Sequence, residues 1–175
     1  MPQLLFRAAL LGFLALAMIA PAVEATSPLP VFRGVQRIGL LCRLDSLDGT
    51  MSAVGAEEIC ELAQHVWTQS FAGGPKIEVV MLRRNDERVA AQGMLVVALH
   101  LVARAGGSDL SSPGGSILAL SLGLFRRNPG NDQLFGAAPE AIILSGDEDW
   151  RGEMSPALTR LLFAGVAEPL GFQQR

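Results

Sequence analysis

The run Met94 to Ala103 is apolar on both of its alternating sets, with Met94, Val96, Ala98 and Val102 on one side and Leu95, Val97, Leu99, Leu101 and Ala103 on the other; His100 is its one strongly polar residue. A segment greasy on both sides fits a strand with neighbours on either hand. The chain must therefore build a sheet around it, and other segments supply the partners. Gln36 to Leu44 reads as a buried strand, with Ile38, Leu40, Cys42 and Leu44 on one face and Arg37, Gly39, Leu41 and Arg43 on the other. Lys76 to Arg84 sets Ile77, Val79 and Met81 against Glu78, Val80 and Leu82. Ile117 to Phe125 stacks Leu118, Leu120, Leu122 and Leu124 on one face and predicts an antiparallel partner for the central strand. Arg126 to Gly136 is polar and glycine-containing and reads as a loop, with Ala141 to Leu144 a short final strand.

Two stretches change to helical spacing. Between Ser52 and Phe71, Ile59, Leu62, Ala63, Val66, Trp67 and Ser70 share a stripe, Glu57, Glu58 and Glu61 face water, and Ala72-Gly73-Gly74-Pro75 stops the helix. Ser155-Pro156 reads as a cap and first-turn proline opening a helix over Ala157 to Ala167, with Leu158, Leu161, Leu162 and Val166 inward. The order β-α-β-β-β-β-α predicts an α+β two-layer sandwich: a mixed, mainly antiparallel sheet of about four or five strands with both helices on one face. The first strand, helix and second strand suit a right-handed parallel crossover.

The N-terminus carries a different message. Arg7, the apolar run Ala8 to Ala20, Pro21 and the small-residue exit Val23-Glu24-Ala25 have the three-part order of a secretory signal peptide. The apolar run is shorter than the about 20 residues that cross a bilayer. Cleavage of residues 1–25 is the expectation, leaving an extended lead-in over 26–35 and a single α+β domain over 36–172, periplasmic or secreted and without stable membrane insertion. Arg7 and Glu24 leave together, so the net charge of −3 is unchanged. So mild a balance predicts no nucleic-acid partner and no capture by anionic lipid. Lys76 is the only lysine among 14 basic residues, an arginine bias that fits a GC-rich bacterial genome.

Cys42 and Cys60 both lie in the exported part, where thiols pair. Cys42 shares the face of Ile38 and Leu40, which turns it toward the helix layer that carries Cys60. A disulfide between them is predicted, stabilising by about 3 kcal/mol on the chain-entropy model. Their spacing is far from the Cys-x-x-Cys of reactive pairs.

Chemical signatures are sparse. His65 falls one turn after Glu61 on the outer helix face and reads as a solvated pair; His100 reads as a hydrogen-bonded histidine, buried or on a half-exposed sheet face. Two distant histidines and two oxidised cysteines do not make a zinc site, and no metal or cofactor is predicted. Gly-x-Ser-x-Gly is absent, and Ser-x-x-Lys cannot be built on Lys76. Gly73-Gly74-Pro75-Lys76 and Gly114-Gly115-Ser116 lack the strand-to-helix context of a phosphate cradle and read as turns. Asp147, Glu148, Asp149 and Glu153 form an acidic turn, but as a calcium loop it places Arg151 and Leu158 at ligand positions. Asp45 and Asp48 likewise read as turn residues.

One constellation depends on topology. With the first two sheet strands parallel and the next two a meander, Arg43, Arg83, Arg84, Arg88, Arg126 and Arg127 would gather at one end of the sheet as an anion patch. Asp45, Asp48, Asp86, Glu87 and Asp132 lie in the same loops and would offset it. Export, small size and a sheet with too little helix for both faces favour a non-enzymatic accessory or protein-binding module of the cell envelope, meeting an envelope protein through an exposed face or edge. The alternatives are an enzyme built from distant residues, His100 and the acidic turn among them, and an anion or small-ligand carrier using the arginine end.

Overall fold

A computed structural model describes residues 29–47, 54–105, 116–127, 133–136, 138–144 and 149–175. Its elements are β1 (Arg37–Ser46), α1 (Ala56–Ser70), β2 (Phe71–Ala72), β3 (Glu78–Met81), β4 (Met94–Ala105), β5 (Ser116–Arg126), β6 (Gln133–Gly136), β7 (Glu140–Leu144), α2 (Trp150–Leu162) and β8 (Gln173–Gln174). The leader segment lies outside the described residues.

The architecture is α+β, a mixed sheet under two helices. The 6-stranded sheet runs β3-β1-β4-β5, with β6 and β7 both paired to the far side of β5. β4, apolar on both faces, takes a central lane. β1 is parallel to β3 and also to β4, whereas β4–β5, β5–β6 and β5–β7 are antiparallel. The sheet is therefore more parallel on its β1 side than a single crossover would make it. The chain leaves β3 at one end, returns across one sheet face and enters β4 at the other end, which places β1 between them. Gln133–Gly136, read as loop from its polarity, forms β6 against Gly123–Arg126.

Both helices cover the same face. Ile38 and Leu40 of β1, Leu95, Val97, Leu99 and Leu101 of β4, and Leu118 and Leu120 of β5 are buried there with Ile59, Ala63, Val66, Met154, Leu158 and Leu162 of the helices. Trp67 closes one end of this core, edge-on to Phe71 at 5.2 Å and to Phe172 at 5.1 Å. Glu58 accepts from the Gly55 N–H at 2.8 Å, which caps α1, and from Arg151 at 3.0 Å, which ties α1 to α2.

On the opposite face the β3–β4 crossover packs Val89 and Ala91 over Leu82, Met94 and Val96. That cluster covers only the part of the sheet where β1 and β4 begin. Further along the strands Ala98, His100, Val102, Ala119 and Ser121 are half-buried, and Ile117 and Ile143 stand exposed side by side.

Two expectations about local structure are corrected. Residues 29–35 are not a plain extended lead-in: Pro30–Phe32 is a 3-10 turn whose Val31 and Phe32 are buried in the main core, so apolar burial overrides the proline-rich local pattern. The last helix starts at Trp150, not at Ser155-Pro156. Asp149 caps it by accepting from the Gly152 N–H at 3.3 Å, and Pro156 lies inside the helix.

Candidate functional site

β1 continues well past its outer neighbour. β3 pairs with β1 only as far as Leu40↔Met81, and the Leu82 N–H then reaches Leu40 O at 2.8 Å as the last link between them. β4, on the other side, follows β1 all the way to Ser46↔Ala103. Among the described residues, no strand pairs with Leu41 to Asp45 on the β3 side, so they form a strand edge beside the lane that β3 leaves.

A groove of about 1140 Å³ occupies that lane. Leu41 to Asp45 make its floor, Ala56, Glu57 and Cys60 of α1 one wall, and Met81 to Arg84 with Asp86 and Arg88 the other. The Cys42–Cys60 disulfide is present, with Cα atoms 5.7 Å apart, and fastens the floor to the helical wall.

The chain leaves β3 because Leu82 folds over Gly39, where an added Cβ would stand 2.3 Å from Leu82 Cδ1. Asn85 takes a left-handed conformation at φ 63° to complete the exit turn. Asp86 caps the next turn through the Arg88 N–H at 3.0 Å and grips the Arg88 guanidinium at 2.7 Å; Arg88 in turn donates to Met81 O at 3.0 Å. Hydrogen bonds from the Arg88 side chain and backbone hold the Asp86 carboxyl far below its ordinary range, and the same pairing raises Arg88.

Where the groove meets the open sheet face, Asp45 accepts from Arg43 Nε at 3.0 Å and contacts His100 Nε2 at 2.9 Å. The β1–β4 register causes this contact by setting Arg43 opposite His100. Hydrogen bonds from Arg43, then His100, lower the Asp45 pKa. The His100 side chain is 43% exposed. Ser121 Oγ donates to the His100 backbone oxygen at 3.2 Å and not to its ring. Asp45 therefore orients an imidazole on the surface.

The six arginines do not share one end. Arg43, Arg83, Arg84 and Arg88 line the groove. Arg126 and Arg127 lie at the opposite end, because β5 runs antiparallel to β4 with Val96↔Phe125 in register. Arg126 is 9% exposed and donates to Val31 O at 2.9 Å, Gly34 O at 3.3 Å and Arg33 O. It anchors the segment before β1. Of the groove's arginines, Arg43 is paired with Asp45 and Arg88 with Asp86. The exposed Arg83 and Arg84 side chains make no ion pair among the described residues.

His65 is exposed on α1, and no ion pair joins it to Glu61 among the described residues. Asp149 is engaged as a helix cap; Asp48, Asp132, Asp147 and Glu148 lie outside the described residues. Among the described residues no cluster of three or more His, Cys, Asp or Glu could hold a metal ion, and no helix is long and apolar enough to cross a membrane.

No protein-family model and no curated protein matches the chain. Solved structures do resemble it. A neuraminyllactose-binding hemagglutinin homologue from Helicobacter pylori is 12% identical with a TM-score of 0.40, covering 81% of this chain and 85% of its own. The hypothetical protein CT253 from Chlamydia trachomatis is 14% identical with a TM-score of 0.45, covering 78% and 96%. A PelC dodecamer from Paraburkholderia phytofirmans is 16% identical with a TM-score of 0.44, covering 83% and 94%.

Proposed function

We propose that this chain is an exported, non-enzymatic binding module of the bacterial cell envelope that meets a partner protein along the β1 groove. The observation that carries the reading is the overhang of β1: a strand edge, clamped to α1 by a disulfide, stands beside a groove large enough for a segment of another chain. The disulfide fits an oxidising compartment, and the leader read from residues 1–25 accounts for how the chain reaches it. Helices on one face only leave additional half-buried sheet surface for the partner to cover.

Site-specific photo-crosslinking in the native host tests this. A crosslinker at Arg84, on the groove wall, is expected to give a discrete adduct with an envelope protein, and one at the exposed Gln69 of α1 is not. Absence of adduct from Arg84, with the protein monomeric at high concentration, counts against the proposal. The Asp45–His100 contact favours a second reading, an enzyme using His100 as a base on the open face. Ester and phosphoester hydrolysis no faster with wild type than with His100→Gln dismisses it.

A further inference from the structure

We infer that the outer edge of β1 is a strand-addition site for an extended, acidic peptide segment of a partner protein, which takes the lane that β3 vacates. This rests on the binding-module reading and specifies its partner.

In a parallel pair, the N–H and C=O of one residue turn to the same side and successive residues alternate. Leu40 O accepts from the Leu82 N–H, so Leu40 turns toward the β3 side, and Cys42 and Leu44 turn the same way. Leu41, Arg43 and Asp45 turn to β4. Past Leu82 no described residue takes the N–H or C=O of Cys42 or Leu44 on that side. These groups belong to half-buried residues at the floor of a groove, where an unmet hydrogen bond is costly and an added strand can supply it. An extended segment satisfies them in the manner of β-augmentation.

Side-chain chemistry narrows the segment. Residues of an added strand opposite Cys42 and Leu44 point to the helix side, against Met81 and the disulfide, and suit small apolar side chains. Residues opposite Leu41, Arg43 and Asp45 point to the open face. Asp45 and Asp86 are already spent on Arg43 and Arg88, which leaves Arg83 and Arg84 facing Glu57 across the groove, a local positive excess in a chain of net charge −3. Arginine is well shaped for carboxylates. The fitting segment therefore alternates small apolar with acidic residues. At about 1140 Å³ the groove exceeds the usual small-molecule range of about 300–1,000 Å³, and a small anion would leave the backbone groups unmet.

The test begins with amide hydrogen exchange on the free protein: Cys42 and Leu44 should exchange fast between the slow amides of Leu41, Arg43 and Asp45. A displayed library of peptides alternating valine with a randomised residue is then selected on the protein. Expected are Asp and Glu at the randomised positions, protection of the Cys42 and Leu44 amides on binding, and loss of binding on methylating the peptide amides that face β1. Arg83→Ser combined with Arg84→Ser should weaken binding at least tenfold with an unchanged urea midpoint. Slow exchange in the free protein, no enrichment, selected peptides without acids, or binding without protection of Cys42 and Leu44 overturns the inference. Protection by inorganic phosphate alone, or protection that rises with protein concentration without peptide, overturns it in favour of an anion or a second copy. An Arg84 crosslink in the host without such protection leaves the binding module standing and removes strand addition, while failure of both removes both.

Discussion

Replacing Cys42 and Cys60 together by alanine should cost the protein a large part of its stability. The crosslink joins residues 18 apart in sequence, and the chain-entropy relation for a loop of that length gives about 3 kcal/mol through restriction of the unfolded chain. Removing a sulfur from Cys60, which is 4% exposed, adds a smaller packing loss of about 1 kcal/mol. A domain this size has about 5–15 kcal/mol in total, so the variant should stay folded but near its limit. With a urea slope of about 2 kcal/mol/M, the midpoint should fall by about 2 M. Equilibrium urea unfolding followed by circular dichroism measures this. Wild type under reducing conditions is the internal control, since it loses the crosslink and keeps the sulfur: its midpoint should fall by about 1.5 M. A loss below about 1 kcal/mol in the double variant, or identical midpoints for oxidised and reduced wild type, would refute the assignment of a constraining disulfide.

Arg126→Ala should destabilise by about 2–4 kcal/mol, because it removes one buried and two part-buried hydrogen bonds from a charged group, each worth about 1.5–3 kcal/mol at most. It should also open residues 29–35 to protease, and unchanged cleavage there would show that Arg126 does not anchor them. Gly39→Ala drives a Cβ to 2.3 Å from Leu82 Cδ1 and 3.1 Å from Met94 Sδ, an overpacking expected to cost about 1–3 kcal/mol in urea unfolding; a neutral result would place Leu82 elsewhere. Hydrogen bonds from Arg43, from the Gly55 N–H and from Arg88 hold the carboxyls of Asp45, Glu58 and Asp86, respectively, below their ordinary values of 3.8 or 4.5. Their folded values lie below the unfolded ones, so their contribution is complete above the unfolded values and is lost as pH falls through the folded ones. The melting temperature should hold steady from neutral pH to about pH 5 and decline below about pH 4, with a shallower acid decline in Asp86→Asn; an identical acid decline in that variant would contradict the Asp86–Arg88 pairing.

What the sequence revealed followed from side-chain periodicity. Strand alternation located β1, β3, β4 and β5, and it turned Cys42 toward the helix that carries Cys60, so the disulfide was legible from pattern and compartment together. Lateral order was not legible in the same way. Alternation states which face a residue takes but not which strand lies beside it, so the parallel placement of β4 next to β1, and with it the Asp45–His100 contact, had no local signal. The six arginines were gathered on the expectation that the strand after β3 turns back antiparallel in a meander; β4 instead runs parallel to β1, so β5, antiparallel to β4, carries Arg126 to the far end, where it binds carbonyls instead of facing solvent. β6 escaped notice because the overall polarity and glycine content of Arg126 to Gly136 signal a loop, and two adjacent apolar residues, Leu134 and Phe135, are too few to show an alternation.

The truncation of β3 was hidden for a related reason. Its alternating pattern runs on through Leu82, yet pairing ends at Met81, because Leu82 needs the space above Gly39 and swings across it. Glycine at position 39 therefore does more than relieve a close contact: it permits the exit that strips β1 of its outer neighbour. An edge so exposed would ordinarily invite indiscriminate pairing. Here Arg43 and Asp45 lie on the exposed strand itself, Arg83 and Arg84 flank it, and the bond to Cys60 holds it in place from the helical side. With Asp45 paired to Arg43, the charge of Arg83 and Arg84, in no ion pair among the described residues, disfavours basic strands and favours acidic ones, so the features that protect the edge from aggregation are those by which the proposed strand addition would select its partner.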